Sequence, residues 1–265
     1  SECNERSNLR ISGKRIDSSF ISRRFSHDCL GFSRTYIYQG GTHMKEPIII
    51  TLIIVGIIAL VAFIIMLVRH FEKKRTEALR TAAADMTLEF SRLPDPQLLP
   101  SLSAFPLFSH GHSKKAFNVM SGKADEIEII LFDYRYTTGA GKNQHTHNQT
   151  VVLLRSRLLD VPPFSLKPQN VFHKIGKAFG YQDIDFDSHP LFSEKYLLRS
   201  TDELVVRECF TDDILDYYEQ RPGLSTEAGG DRLIFFRASK KVKPEDLPQF
   251  LKDGFHIYTL FKRAL

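Results

Sequence analysis

Only three cysteines occur in the chain, and two of them, Cys3 and Cys29, lie in its first 43 residues. The third, Cys209, cannot form an internal disulfide with either if the leader stands apart from the folded part, which fits a reducing compartment. Cys209 sits in an apolar run between Val206 and Phe210 and reads as a buried, inert thiol. Also missing are a glycine–serine nucleophile elbow, an H-E-x-x-H motif and a dinucleotide-binding glycine fingerprint. A basic excess is missing where it would matter. Residues 1–43 hold seven basic and four acidic side chains, which leaves 29 and 27 for the rest of the chain. A nucleic-acid binder concentrates positive charge on its folded domain, so nucleic acid is not an expected partner. There is no internal repeat or low-complexity tract.

Charge is absent altogether from Pro47–Val68, which also lacks any amide side chain. These 22 residues, at about 1.5 Å each, make a helix about 33 Å long, which matches the hydrocarbon of a bilayer. A secretory signal has an apolar region of only about 7–15 residues and a small-residue cleavage site. Here Arg69, His70, Phe71, Glu72 and Lys73 follow instead. A core helix of a soluble protein keeps a polar stripe, and this segment has none. Residues 47–68 are therefore expected to be a permanent anchor with the lipid bilayer as partner. Arg34 and Lys45 lie on its N-terminal side, against Arg69, Lys73, Lys74, Arg75 and Arg80 on the other. The positive-inside rule then places the C-terminal part in the cytoplasm, on an inner, single-pass cell-membrane protein.

The first methionine is Met44, and residues 1–43, rich in Ser and Arg, have no apolar periodicity. They read as a disordered leader or as sequence upstream of the true start. Residues 44–68 form the transmembrane helix. Residues 69–92 read as a basic juxtamembrane helix, with Leu79, Ala82, Ala83, Met86 and Phe90 at three- and four-residue spacing. Residues 93–110 hold Pro94, Pro96, Pro100 and Pro106. Such a segment excludes helix and predicts an extended linker. Residues 111–265 are enough for one domain without disulfides.

Within that domain, "KAFNVMSG", "EIEIILFDYRYTT" and "QTVVLLRS" read as strands, and "NVFHKIGKAFG" as a short helix. "EKYLLRS" is a further strand, and "TDELVVRECFTDDILDYYEQ" gives helices with Thr201 and Thr211 as candidate N-caps. "GLSTEA" and "RLIFFRA" form a hairpin around Gly229-Gly230, and a last helix starts at Pro244. The predicted class is α+β: one transmembrane helix, then a small antiparallel-sheet domain with short helices.

The block "FSEKYLLRSTDELVVRECFTDDIL", through Phe192, Tyr196, Asp202, Glu203, Arg207, Phe210 and Leu215, resembles one found in bacterial families of membrane-anchored proteins of unknown function. "FDYRYTTGAGKNQHTHNQTVV" is similar to their central hairpin. The resemblance covers most of residues 111–265 and implies a tethered cytoplasmic domain without a known chemistry.

Three patterns bear on chemistry. "YTTGAGKN" imitates a phosphate-binding loop, but Tyr136 stands where the motif needs Gly and Asn143 where it needs Ser or Thr. In "DIDFDSHPLFSE", Asp183, Asp185, Asp187 and Glu194 take positions 1, 3, 5 and 12 of a calcium loop. Ser188 replaces its glycine, and Pro190 follows. The pairs His110/His112 and His145/His147 share a face if each is on a strand, and could donate imidazoles to zinc, with Asp133 as a further ligand. The candidate metal ligands are thus His145, His147, Asp183, Asp185 and Asp187. No cofactor is expected. The sequence reads as a non-catalytic interaction or ligand-binding module at the membrane, with a protein partner. The alternative is a metal-dependent hydrolase using the histidine pairs or the aspartate run. A third reading has the basic helix at 69–80 and Phe255, Tyr258 and Phe261 of the last helix touching lipid.

Overall fold

The computed structural model describes residues 46–169 and 183–264, so the helix expected at "NVFHKIGKAFG" and the leader fall outside the described residues. Two compact units divide at Gly56, inside the first helix. The described part of the first unit is helical. The second, Ile57–Leu265, holds the folded domain.

Helix α1 runs unbroken over Glu46–Asp85. It is long and apolar enough to cross a membrane. The large apolar side chains from Ile48 to Val68 are all exposed, an arrangement that water would penalise and hydrocarbon would not. Beyond Phe71 the same helix changes character, and Leu79, Ala82 and Ala83 are buried. It stops at Asp85, where Thr87 takes a positive φ of 58°.

The domain is α+β, built on one eight-stranded antiparallel sheet in the order β1-β2-β3-β4-β8-β7-β5-β6. Its strands are β1 (Glu89–Ser91), β2 (His112–Ala124), β3 (Ile127–Thr138), β4 (His145–Ser156), β5 (Val161–Pro168), β6 (Tyr196–Ser200), β7 (Ser225–Gly230) and β8 (Arg232–Phe236). Adjacent residues on a strand face opposite ways, and β3 obeys this along its length. Ile129 and Leu131 join one core with Leu79, Val152 and the last helix, while Phe132, Tyr134 and Tyr136 join a second.

The first face is covered by α1, by the short α4 (Pro190–Lys195), by α5 (Glu203–Cys209) and α6 (Asp212–Glu219), and by the closing helix α7 (Leu247–Ala264). The second face is covered by the proline-rich segment. Instead of an extended spacer over 93–110, two one-turn helices form, α2 (Leu98–Ser101) and α3 (Pro106–Ser109). Leu98, Leu102, Phe105, Leu107 and Phe108 are buried against Phe132, Val151 and Phe236. The prolines shorten these helices without preventing them, because Pro106 sits at a first-turn position where its missing N–H costs nothing.

Three further differences have local causes. The N-cap of α5 is Asp202, whose carboxylate accepts from the Val205 N–H, and not Thr201. Strand β5 carries Pro162 and Pro163 and gives no strand signal in sequence. A register shift between Val161 and Phe164 accommodates them within the sheet. In α7, Tyr258 and Phe261 are 4% and 1% exposed, so two of the three aromatics expected to face lipid are core residues, and the third, Phe255, is half-buried against the same core.

A spacer and a core element respond differently to truncation. Leu102→Ala, at a site with no solvent exposure, should destabilise the domain by about 2–5 kcal/mol. Chemical denaturation in detergent would read this, and an unchanged midpoint would return 93–110 to the role of a tether.

Candidate functional site

The most highly connected polar group of the described residues lies where α1 crosses the sheet. Asp133, on β3, is 1% exposed. Arg75 of α1 meets it as a fork: its Nε donates to Oδ2 and its Nη2 to Oδ1, both at 2.9 Å. Asn118 Nδ2 donates to Oδ2 at 3.2 Å, and Thr150 Oγ1 to Oδ1 at 2.9 Å. The carboxylate thus accepts four bonds, two per oxygen, and its hydrogen-bonding capacity is filled. A bulge in β2 between Phe117 and Met120 puts Asn118 at a positive φ of 54° and aims its amide at this point. Thr76 Oγ1 donates to Asn118 Oδ1 at 3.0 Å, a second link from α1.

One turn nearer the apolar span, Glu72 is held by Arg135 at 3.2 Å and Lys241 at 3.5 Å. Both cations also lie over the ring of Phe117, at 5.4 and 5.1 Å. With its oxygens taken up by these donors, the Asp133 carboxylate ties α1 to the sheet through a bidentate, mostly buried charge pair.

The sequence-derived metal ligands are scattered. Among the described residues, no group of three or more His, Cys, Asp or Glu is placed to hold a metal ion. His145 is exposed at the start of β4. His147 stacks on Tyr136 at 4.8 Å, and both its ring nitrogens are engaged, one with Thr138 Oγ1 and one with Ser239 Oγ, each at 2.9 Å. Burial first, and then His145, hold its ring below the usual histidine range. His112 bonds Ser113 and the carbonyl of Gly139. Asp133, their supposed companion, belongs to Arg75.

In the aspartate run, Ile184 is buried while Asp185 and Asp187 are exposed. Asp183 accepts from the Leu198 N–H at 3.0 Å, in place of converging with the other two on an ion. Its carboxyl is pushed up to about 6, by burial first and then by the Asp185 charge. Cys209 is buried, and burial raises its thiol.

A second polar cluster, which no sequence pattern announced, lies beneath α3. Glu227 of β7 is fully buried and pairs with Lys167 of β5 at 2.9 Å. Its other oxygen accepts from the Leu107 N–H at 2.9 Å, anchoring the start of α3. Beside it is a cavity of about 30 Å³ lined by His110, Tyr136, Thr138, Lys167, Ser225 and Phe236. That space takes one or two waters and no metabolite. Burial, and then Lys167, lower the His110 ring.

No protein-family model and no curated protein sequence matches the chain. Among solved structures, the crystal structure of the mycobacterial trehalose monomycolate transport factor A, TtfA, aligns with a TM-score of 0.52. Sequence identity is 10%, over 72% of this chain and 93% of that one. The two share a fold. At that identity, nothing finer than the fold transfers.

Asp183 makes stability depend on pH in a stated direction. Its folded value lies above its ordinary 3.8, so the unfolded chain releases the proton first as pH rises. The folded state therefore loses stability from about pH 4 to about pH 6. Asp183→Asn removes this term, so the thermal midpoint of the variant should gain on the parent across that window. A constant difference from pH 4 to 7 would refute it.

Proposed function

We propose that this chain is a single-pass protein of the bacterial inner membrane whose C-terminal domain lies on the cytoplasmic side. There it acts as a non-catalytic module that engages another protein in transport across or within the envelope. The observation that carries this reading is the Arg75–Asp133 fork. A domain hung on a flexible tether needs no such link, whereas a domain that must present one face at a fixed height above the bilayer does. The family resemblance of the 192–215 block and the surplus of cations after Val68 support the tethered, cytoplasmic part of this reading, and the transport part is suggested only by the role of the protein that shares the fold. The hydrolase alternative finds no support in the placement of His145, His147, Asp183, Asp185 and Asp187.

Topology and anchoring are tested together. The chain should resist alkaline carbonate extraction. In a chain carrying Cys3→Ser and Cys29→Ser, a cysteine introduced by Leu204→Cys, at a side chain 77% exposed, should escape a membrane-impermeant maleimide in intact cells and react after permeabilisation. Labelling of intact cells would overturn the cytoplasmic placement.

The fork itself is tested by a pair of variants. Arg75→Met strands a buried carboxylate and should cost about 3–5 kcal/mol, whereas Arg75→Met with Asp133→Leu should recover most of the loss. Limited proteolysis between Phe71 and Leu88 would follow the same order. Equal stability of the two variants would show that the ion pair does not hold the helix.

A further inference from the structure

The geometry points to an edge of the domain that binds anionic phospholipid headgroups: the β3–β4 hairpin tip together with the loop at 239–243. This rests on the anchor reading of residues 47–68 and goes beyond it. The last apolar residue of the span is Val68. Glu72 is four residues further on and Arg75 seven, which puts them about 6 and 10 Å along the helix axis. The headgroup layer is roughly 5–8 Å deep on each side of the hydrocarbon. Glu72 and the two cations that hold it, Arg135 and Lys241, therefore lie at headgroup depth.

The direction of β3 extends the argument. Arg75 meets Asp133 and Glu72 meets Arg135, so α1 toward its apolar end and β3 toward its C-terminal end advance the same way. The strand goes on for three more residues to Thr138, paired with His145, a path of about 10 Å along the strand that is long enough to cover the roughly 6 Å between Glu72 and Val68. The tip at 139–144 then reaches the level where the apolar helix begins. Its residues are Gly139, Ala140, Gly141, Lys142, Asn143 and Gln144, all exposed. Gly139, with φ of 79°, turns the chain there. A tip of this composition cannot enter hydrocarbon, and it suits headgroups.

The loop at 239–243 is fixed to the same edge. Ser239 Oγ bonds His147 Nδ1, the Ser239 N–H donates to Gln149 Oε1, and the Val242 N–H donates to Thr150 Oγ1. It presents Lys240 and Lys243, both exposed, with Lys241 between them. Arg69, Lys73 and Lys74 on α1 and Lys142 on the tip are exposed too. Each such cation is drawn to an anionic surface.

Hydrogen exchange of the full chain in lipid nanodiscs tests this. Discs of phosphatidylcholine alone are compared with discs containing about one-third phosphatidylglycerol. Amides of 139–145 and 239–243 should exchange about tenfold more slowly in the anionic discs, a modest share of the attraction that several lysines offer. In about 0.5 M salt, where screening is short-ranged, the difference should vanish. Lys142→Gln/Lys240→Gln/Lys243→Gln should lose it as well, with core amides of β3 and β4 unchanged. Equal protection in both discs overturns the inference, and so does a difference that survives high salt. Failure of the chain to enter either disc would instead overturn the anchor.

Discussion

A carboxylate moved from water to a site with 1% exposure costs several kilocalories per mole unless a cation and hydrogen bonds replace its hydration. Asp133 meets that condition only if α1 is in place, because the cation, Arg75, lies on that helix and not in the sheet. The β2 bulge, the inward Asn118 and the position of Thr150 all serve the same two oxygens. Removing α1 would leave a buried charge, a misdirected amide and an uncovered patch around Met120, Ile129 and Leu131. The C-terminal half of α1 is thus part of the fold of the domain. Specificity of placement follows, since the bidentate geometry fixes both rotation and height of the helix against β3.

The second face of the sheet uses the same device in weaker form. Glu227, fully buried, takes Lys167 on one oxygen and the Leu107 amide on the other. The segment 93–110 therefore docks through both apolar burial and a charge-assisted bond to its backbone. Chain that precedes β2 covers the second face and, together with α4, α5, α6 and α7, the first. Strands β2 to β8 alone would expose Phe132, Tyr134 and Tyr136 on one side and Leu131 on the other.

Much of this was legible. The span announced itself by absence of charge. The strands β2, β3, β4, β7 and β8 and the last helix each carry a periodic apolar pattern or a glycine turn. Other elements lack a clear local signal for physical reasons. β5 contains proline, which the bulge tolerates. Leu98, Leu102, Phe105 and Phe108 do recur at three- and four-residue spacing, but the four prolines among and before them argue against helix, and the chain satisfies both signals by forming two single turns. Asp133 and Arg75 are 58 positions apart, and no window joins them. Arg75 counted in sequence as one of five topology cations, and Asp133 as a companion of histidines. The histidine pairs misled because spacing places two imidazoles on a face but does not say what occupies them. On His147 the occupants are the hydroxyls of Thr138 and Ser239.

Continuity of α1 from Ile57 through Asp85 makes it a keyed shaft. Adding one residue between Val68 and Glu72 would turn everything after the insertion by about 100° about the helix axis. Adding a full turn would keep the orientation but raise the sheet by about 5 Å. The length of this short stretch is therefore a register, and indels there carry an angular penalty that ordinary linkers never incur.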